Sequence, residues 1–365
     1  MNNSKIEWTD ATWNPIVGCS KVSEGCRNCY AMTMAARIAN AAQAALRQGK
    51  GLTDVQAAYR NVVKWENGKD RAAGENDKAL PQWNNLIAVI DSVLTLPLRW
   101  KSPRRIFVNS MADLFHESVP FEVIDQVFAV MALCPEHSFQ ILTKRPERMA
   151  EYLNQVNVDQ FRSMVFVNTL REFKEPKSPE PFRRASEAVK WPLPNVWLGT
   201  SVENQEQFLK RVRALIHCPA TVRFLSCEPL VGELVVTDLF PDDPNLGFDP
   251  LTGRMWGGIP GGEDFFESLR IHWVICGGES GHGARPMQLE WARSLRYQCQ
   301  AAGVPFFCKQ WGERSPYYEK ADTETGRIVL AELPHGESRR VGKKAAGRLL
   351  DGREWNEFPG VAKDA

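Results

Sequence analysis

The chain has 365 residues, of which 43% are hydrophobic, and 45 Lys and Arg balance 44 Asp and Glu for a formal net charge of +1. This length exceeds an average domain but suits a single large α/β barrel, and the apolar share supports a sizeable core. The near-zero charge excludes a protein held to nucleic acid or anionic membrane mainly by a global field, leaving room for a local basic groove.

Met1 to Lys5 leads straight into Trp and Asp with no apolar signal core, and no run of about 18 apolar residues is present. With nine cysteines, an odd number, this predicts a cytoplasmic protein with no membrane span. A first strand is expected over Thr12–Val17 despite Pro15, then a cysteine-bearing loop, then a helix over Tyr30–Gln48 stopped at Gly49. Residues 51–81 read as a charged surface insertion with a short helix. Leu86–Leu94 fits either a strand or a buried helical turn. A rhythm then begins. Strands are expected at Arg105–Ser110, Phe139–Thr143, Val196–Val202, Val222–Cys227, Trp273–Gly277 and Val304–Lys309. Helical stripes follow them at Ile124/Val127/Phe128/Met131, Glu147–Leu153, Phe208/Val212/Leu215 and Leu289/Ala292/Leu295/Cys299. Polar insertions are expected from Asp159 to Leu193, Pro-rich between Lys174 and Arg184, and from Asp238 to Asp264.

Short apolar strands alternating with amphipathic helices predict parallel βαβ units. The expected fold is α/β: a full or partial TIM-like β/α barrel of six to seven parallel strands over residues 1–312, with insertions near 50–85, 155–193 and 235–270. Residues 313–365 form a C-terminal extension and a candidate lid. In such barrels the chemistry sits at the C-terminal strand ends. Those ends carry Asn109, Ser110, Asp113 and His116; Thr143, Lys144 and Arg145; Thr200, Ser201, Glu203 and Asn204; Ser226 and Glu228; Gly277, Gly278, Glu279 and Ser280; and Lys309, Gln310 and Trp311.

The first strand end carries Cys19, Cys26 and Cys29, three thiols within eleven residues, while the other six cysteines are scattered through strand and helix patterns that read as core. An iron–sulfur cluster, a zinc ion, or a disulfide with a spare thiol are the candidates. Structural zinc wants four ligands, and the nearest His is His116.

Three cysteines after the first strand of a β/α barrel resemble the radical S-adenosylmethionine enzymes. More closely, the chain is similar to a phage-associated three-cysteine protein family. The likeness rests on Thr12-Trp13-Asn14-Pro15, Cys29-Tyr30-Ala31, Val108-Asn109-Ser110-Met111-Ala112-Asp113, Leu142-Thr143-Lys144-Arg145-Pro146, Gly199-Thr200-Ser201-Val202-Glu203, Cys227-Glu228-Pro229, Gly277-Gly278-Glu279-Ser280-Gly281 and Lys309-Gln310-Trp311-Gly312. Two features depart from the usual radical-enzyme loop. Six residues separate the first two cysteines where three are usual, and Asn28 replaces the aromatic before the third.

The resemblance implies that Cys19, Cys26 and Cys29 ligate a 4Fe-4S cluster whose open iron binds S-adenosyl-L-methionine. It implies Ser110 and Asp113 at the methionine amino group, Lys144 or Arg145 at its carboxylate, Thr200, Ser201 and Glu203 at the ribose, and Gly277-Gly278 at the adenine. Lys309, Gln310 and Glu228 are expected at the substrate, with flavodoxin or ferredoxin as electron donor. The substrate is left open; a nucleobase or nucleic acid is the candidate suggested by basic groups such as Arg339, Arg340, Lys343 and Lys344, which also read as a solvated face. The competing readings are a zinc-stabilised nucleic-acid-binding protein and a barrel hydrolase using Glu203, Glu228 and Glu279.

Overall fold

A computed structural model describes residues 4–66, 80–172, 183, 186–257, 263–321 and 328–360. By internal contacts the chain divides into two compact units, one made of Met1–Val22 and Cys29–Trp197, the other of Ser23–Asn28 and Leu198–Ala365.

The first unit opens with β1 (Ala11–Trp13). The expected first strand is shorter than predicted because Pro15 has no N–H for a ladder, and Ile16–Val17 forms a separate strand, β2. Helix α1 (Tyr30–Arg47) ends just before Gly49, which takes the left-handed φ of +71°. Its buried Ala31, Ala35, Ala39 and Ala42 form a small-residue stripe. Helix α2 (Asp54–Val62) begins at a reciprocal capping box, Gln56 N donating to Thr53 Oγ1 at 3.2 Å and Thr53 N to Gln56 Oε1 at 3.0 Å. It leads into the antiparallel pair β3 (Val63–Glu66) and β4 (Leu80–Trp83). This segment is more than a surface insertion. Tyr59, Val62, Val63 and Trp83 are buried in one cluster with Val17, Ala31, Met32 and Met111, and Cys19 and Cys29 pack against that cluster.

Residues 86–94 are both strand and helix: β5 (Ala88–Val89) pairs antiparallel with β2, and α3 spans Asp91–Leu94. Next, β6 (Arg105–Val108) runs parallel to β1 and to β7 (Ser138–Thr143). Helices α4 (Phe121–Ala132) and α5 (Pro146–Gln155) follow these strands. Contrary to the expected polar insertion, Val158–Glu172 is a helix, α6. Its buried Phe161 and Val165, four residues apart, give it one apolar stripe, and Phe161 meets Trp191, which in turn meets Phe128 of α4. The Pro-rich stretch Lys174–Arg184 lies outside the described residues except Arg183. Strand β8 (Val196–Ser201) closes this part of the chain.

The second unit continues with α7 (Gln205–Ile216), capped by Asn204, whose Oδ1 accepts from Gln207 N at 3.0 Å. Strand β9 (Val222–Cys227) precedes the expected excursion, which is a three-stranded antiparallel ribbon of β10 (Leu246–Asp249), β11 (Arg254–Gly257) and β12 (Glu263–Phe265). Then β13 (Trp273–Gly277) runs parallel to β9 and to β14 (Phe306–Gln310), with α8 (Leu289–Ala301) between β13 and β14 in sequence. Every residue of β8, β9, β13 and β14 is buried, which is why they read as continuous apolar runs. The seven strands of the main sheet follow the order β1-β6-β7-β8-β9-β13-β14. The protein is therefore α/β with a seven-stranded sheet. Among the described residues no helix is long and apolar enough to cross a membrane.

The C-terminal segment forms two small antiparallel pairs, β15 (Arg314–Ser315) with β18 (Arg339–Arg340) and β16 (Tyr317–Ala321) with β17 (Ile328–Glu332), then the short helix α9 (Lys343–Ala346). Beyond it the chain runs along β14. Asn356 bridges Phe307, Cys308 N donates to Trp355 O at 3.0 Å, and Trp273 Nε1 donates to Glu357 O at 2.8 Å. Leu350 and Trp355 are buried, and Arg296 and Arg353 lie over the Trp355 ring. Trp355→Ala should therefore cost about 3–5 kcal/mol of stability, the usual loss for a buried Trp. Urea unfolding measures it, and a loss under about 1 kcal/mol would mean that the segment is peripheral.

Candidate functional site

The cysteine loop leaves β2 through Gly18, where φ is +96° and a Cβ would lie 2.1 Å from Leu86 O, so no other residue fits that turn without displacing backbone. The next residues are held from the β7–α5 turn. Arg145 Nη2 donates to Ser20 Oγ at 2.6 Å, and His116 Nε2 lies 2.9 Å from the same hydroxyl. The Arg145 guanidinium is buried and paired with Asp113 at 3.1 Å and Glu117 at 2.8 Å. Burial alone would lower its pKa, but Asp113 and Glu117 outweigh that and hold it up. Burial, then the Arg145 charge, pushes the His116 pKa down, which favours a neutral imidazole.

Asp113 is saturated by the chain. Its Oδ1 accepts from Phe115 N and Thr143 Oγ1, and its Oδ2 from Lys144 N and Arg145 Nη1, at 2.7–3.1 Å. Ser110 Oγ donates to Asn14 Oδ1 at 3.1 Å, and its carbonyl accepts from Tyr30 Oη at 2.5 Å. The two residues expected at an amino group thus secure turns around the loop, and Lys144 enters through its backbone N–H.

In the second unit, Glu24–Cys26 forms a 3₁₀ turn. Gly25 N donates to Glu203 Oε1 at 3.2 Å, and the buried Glu203 pairs with buried Arg211 at 2.8 Å. Arg211 also donates to Ser201 O, placing Thr200 and Ser201 in a buried strand end. Asn28 Nδ2 donates to Glu279 Oε2 at 3.0 Å and to Gly283 O at 2.8 Å. Arg285 grips Glu279 through N, Nε and Nη2 and reaches Glu24 O at 2.9 Å. Burial raises the Glu279 pKa, but the Arg285 and Asn28 hydrogen bonds prevail and leave it below the ordinary carboxylate value.

A second polar cluster gathers the ends of β9, β13 and β14. Lys309 Nζ meets both Glu228 oxygens at 2.7 and 2.8 Å, and Gln310 Nε2 donates to Glu228 Oε1 at 2.8 Å and to Ser280 Oγ at 3.3 Å. Lys309, Gln310 and Glu228 are thus together, as expected of a site. Gly277 makes room for Glu228, since a Cβ there would sit 3.3 Å from its carboxyl carbon. Gly278 faces Trp311 O, which a Cβ would approach to 2.0 Å, so the chain itself requires that glycine.

All nine cysteines are free, with Cys19, Cys26 and Cys29 half-buried and the other six buried. Burial pushes the thiols of Cys134, Cys218 and Cys308 up to about 12, and those of Cys227, Cys276 and Cys299 upward too. Cys29 is the N-cap residue of α1. In kind and number the three accessible thiols fit a thiolate-ligated cluster. Among the described residues no group of three or more His, Cys, Asp or Glu is gathered as a metal site, and Cys19 and Cys29 belong to one unit and Cys26 to the other.

Arg211 and Arg285 escape a reading confined to the residues at strand ends. Arg211 lies within α7, where its charge resembles a solvated helical position, and Arg285 lies six residues past Glu279 in an irregular loop. Asn28, noted only as a departure from a pattern, is the link between the loop and Glu279.

The fold and loop define an α/β protein with a three-thiol loop at the start of its main sheet and polar clusters at the strand ends. The chain belongs to the DUF5131 family, proteins of unknown function, whose model matches residues 3–359. No curated protein and no solved structure matches it.

Two measurements check this site. In the folded protein three thiols should react with a disulfide reagent at neutral pH, and the remaining six only after denaturation. Fast reaction of more than three would contradict the burial described. The depressed Glu279 pKa means its contribution to stability is complete above about pH 4.5 and is lost as the pH falls through the folded value. The stability difference between the wild type and Glu279→Gln should therefore shrink below about pH 4.5, and a constant difference down to pH 3 would show that the pairing is not ionic.

Proposed function

We propose that this protein is a radical S-adenosylmethionine enzyme with a partial β/α barrel, acting in the cytoplasm with a flavodoxin- or ferredoxin-like electron donor. The observation that carries this reading is the separation of its thiols: three half-buried on one eleven-residue loop after the first strand, and six buried elsewhere. Cys19, Cys26 and Cys29 would hold a 4Fe-4S cluster, which would supply the electron for reductive cleavage of S-adenosyl-L-methionine.

The chain's own residues prepare for that chemistry. Asp113 and Arg145 secure the Cys19 end of the loop through Ser20. Ser110 and Lys144, both close in sequence to the residues that secure this end, would take the methionine end of the cofactor. Lys309 and Glu228 offer ammonium donors and carboxylate acceptors to a substrate. The buried Gln310 Oε1, which has no hydrogen-bond partner among the described residues, offers an acceptor to a substrate N–H.

A nucleobase or nucleic-acid substrate is supported by the exposed cations Arg339, Arg340 and Lys344. Arg340 Nη1 donates to His282 O at 2.6 Å, which ties this basic segment to the loop that also receives Asn28.

Anaerobic reconstitution with iron and sulfide should give a brown protein with broad absorption near about 400 nm, and after reduction it should release 5′-deoxyadenosine from S-adenosyl-L-methionine. Cys26→Ala should abolish both. Stoichiometric zinc without iron after anaerobic purification would instead support the zinc-stabilised binding protein.

A further inference from the structure

Resting on the three-thiol reading, we infer that Glu203 and Glu279 are positioning residues that hold the segment carrying Cys26 in place before any cluster is bound. Glu203 was the residue expected at a ribose, but it is fully buried, with Oε2 bound to Arg211 at 2.8 Å and Oε1 taken by Gly25 N at 3.2 Å. A Cβ at residue 25 would fall 2.9 Å from the Glu203 carboxyl carbon, so the close approach needs glycine next to Cys26. On the other side of Cys26, Glu279 takes the Asn28 amide at 3.0 Å while held by Arg285, and Arg285 closes onto Glu24 O at 2.9 Å. The Asn28 amide also donates to Gly283 O, and a Cβ at residue 283 would come within 2.8 Å of Asn28 Oδ1.

Residues 24, 25 and 28 are therefore each anchored, and Cys26 lies between the anchors. The segment cannot wander far when Gly25 and Asn28 are fixed by buried carboxylates that are themselves locked by arginines, and Glu24 is held by one of those arginines. This is the outer-sphere support that a precise ligand set requires, and it is built from the chain alone. It also explains the six-residue spacing between Cys19 and Cys26, because the longer arm carries the 3₁₀ turn that presents the Gly25 amide to Glu203.

The test uses the full chain, stripped of metal and kept anaerobic, and reads the iodoacetamide alkylation rate of each cysteine by peptide mass spectrometry. Asn28→Ala and Glu279→Gln should each speed alkylation of Cys26 on the order of fivefold, the effect of one lost hydrogen bond. Cys19 should be unchanged and the six buried thiols should stay protected. Asn28→Asp, which sets a second carboxylate against Glu279, should release Cys26 at least as strongly. A Cys26 rate within twofold of the wild type in all three variants would overturn the proposal. So would unmasking of the buried thiols by Asn28→Ala, since the contact would then support the fold rather than the segment. The measurement needs no cluster. A wild type that never binds iron would remove the enzymatic reading but leave the clamp measured.

Discussion

A carboxylate taken out of water must be met by charge or by hydrogen-bond donors, and that constraint organises the strand ends of this protein. Asp113, Glu203 and Glu279 are all buried, and each is answered by an arginine: Arg145, Arg211 and Arg285. A carboxylate has more acceptor sites than one guanidinium fills, and the remaining ones reach the cysteine loop or the turns beside it. The loop is thus fitted into a polar framework whose net charge is largely cancelled. The framework would be far less favourable if any one arginine were missing.

This arrangement changes the meaning of the polar strand ends. A row of acidic and hydroxyl residues at the mouth of an α/β sheet invites assignment to ligand contacts. Here much of that row is already committed within the chain. The Glu228–Lys309–Gln310 cluster differs, because Gln310 Oε1 has no partner among the described residues.

The strands were legible in the sequence wherever burial is two-sided. Trp273–Gly277 and Val222–Cys227 occur with the expected bounds because a strand covered on both faces is an unbroken apolar run between polar ends. Helix α6 is hidden because its apolar residues, Val158, Phe161, Met164, Val165, Phe166, Val167 and Leu170, are not confined to one face, and among its described side chains Phe161 and Val165 are the buried ones. Pro15 splits the first strand although the residues around it are apolar, because it has no N–H for the ladder. The cysteine loop was visible from spacing alone. Its anchors were not, because contacts such as Asn28 with Glu279 join residues 251 positions apart, and no local pattern encodes such a meeting. Candidate residues could be nominated by type and by place on a strand, but their duties depend on which distant side chain arrives first.

The strip from Leu350 to Phe358 has a consequence for how the molecule is made. β14 stands at one end of the main sheet's strand order, and its open backbone is paired by Asn356 and the residues around it. During synthesis that edge stays unpaired until the strip has left the ribosome, although β9, β13 and β14 are already available to associate. An apolar strand with a free edge is a template for another chain. Loss of the strip by proteolysis or a premature stop would therefore yield a product prone to aggregate by strand addition, even with every residue of the candidate site present.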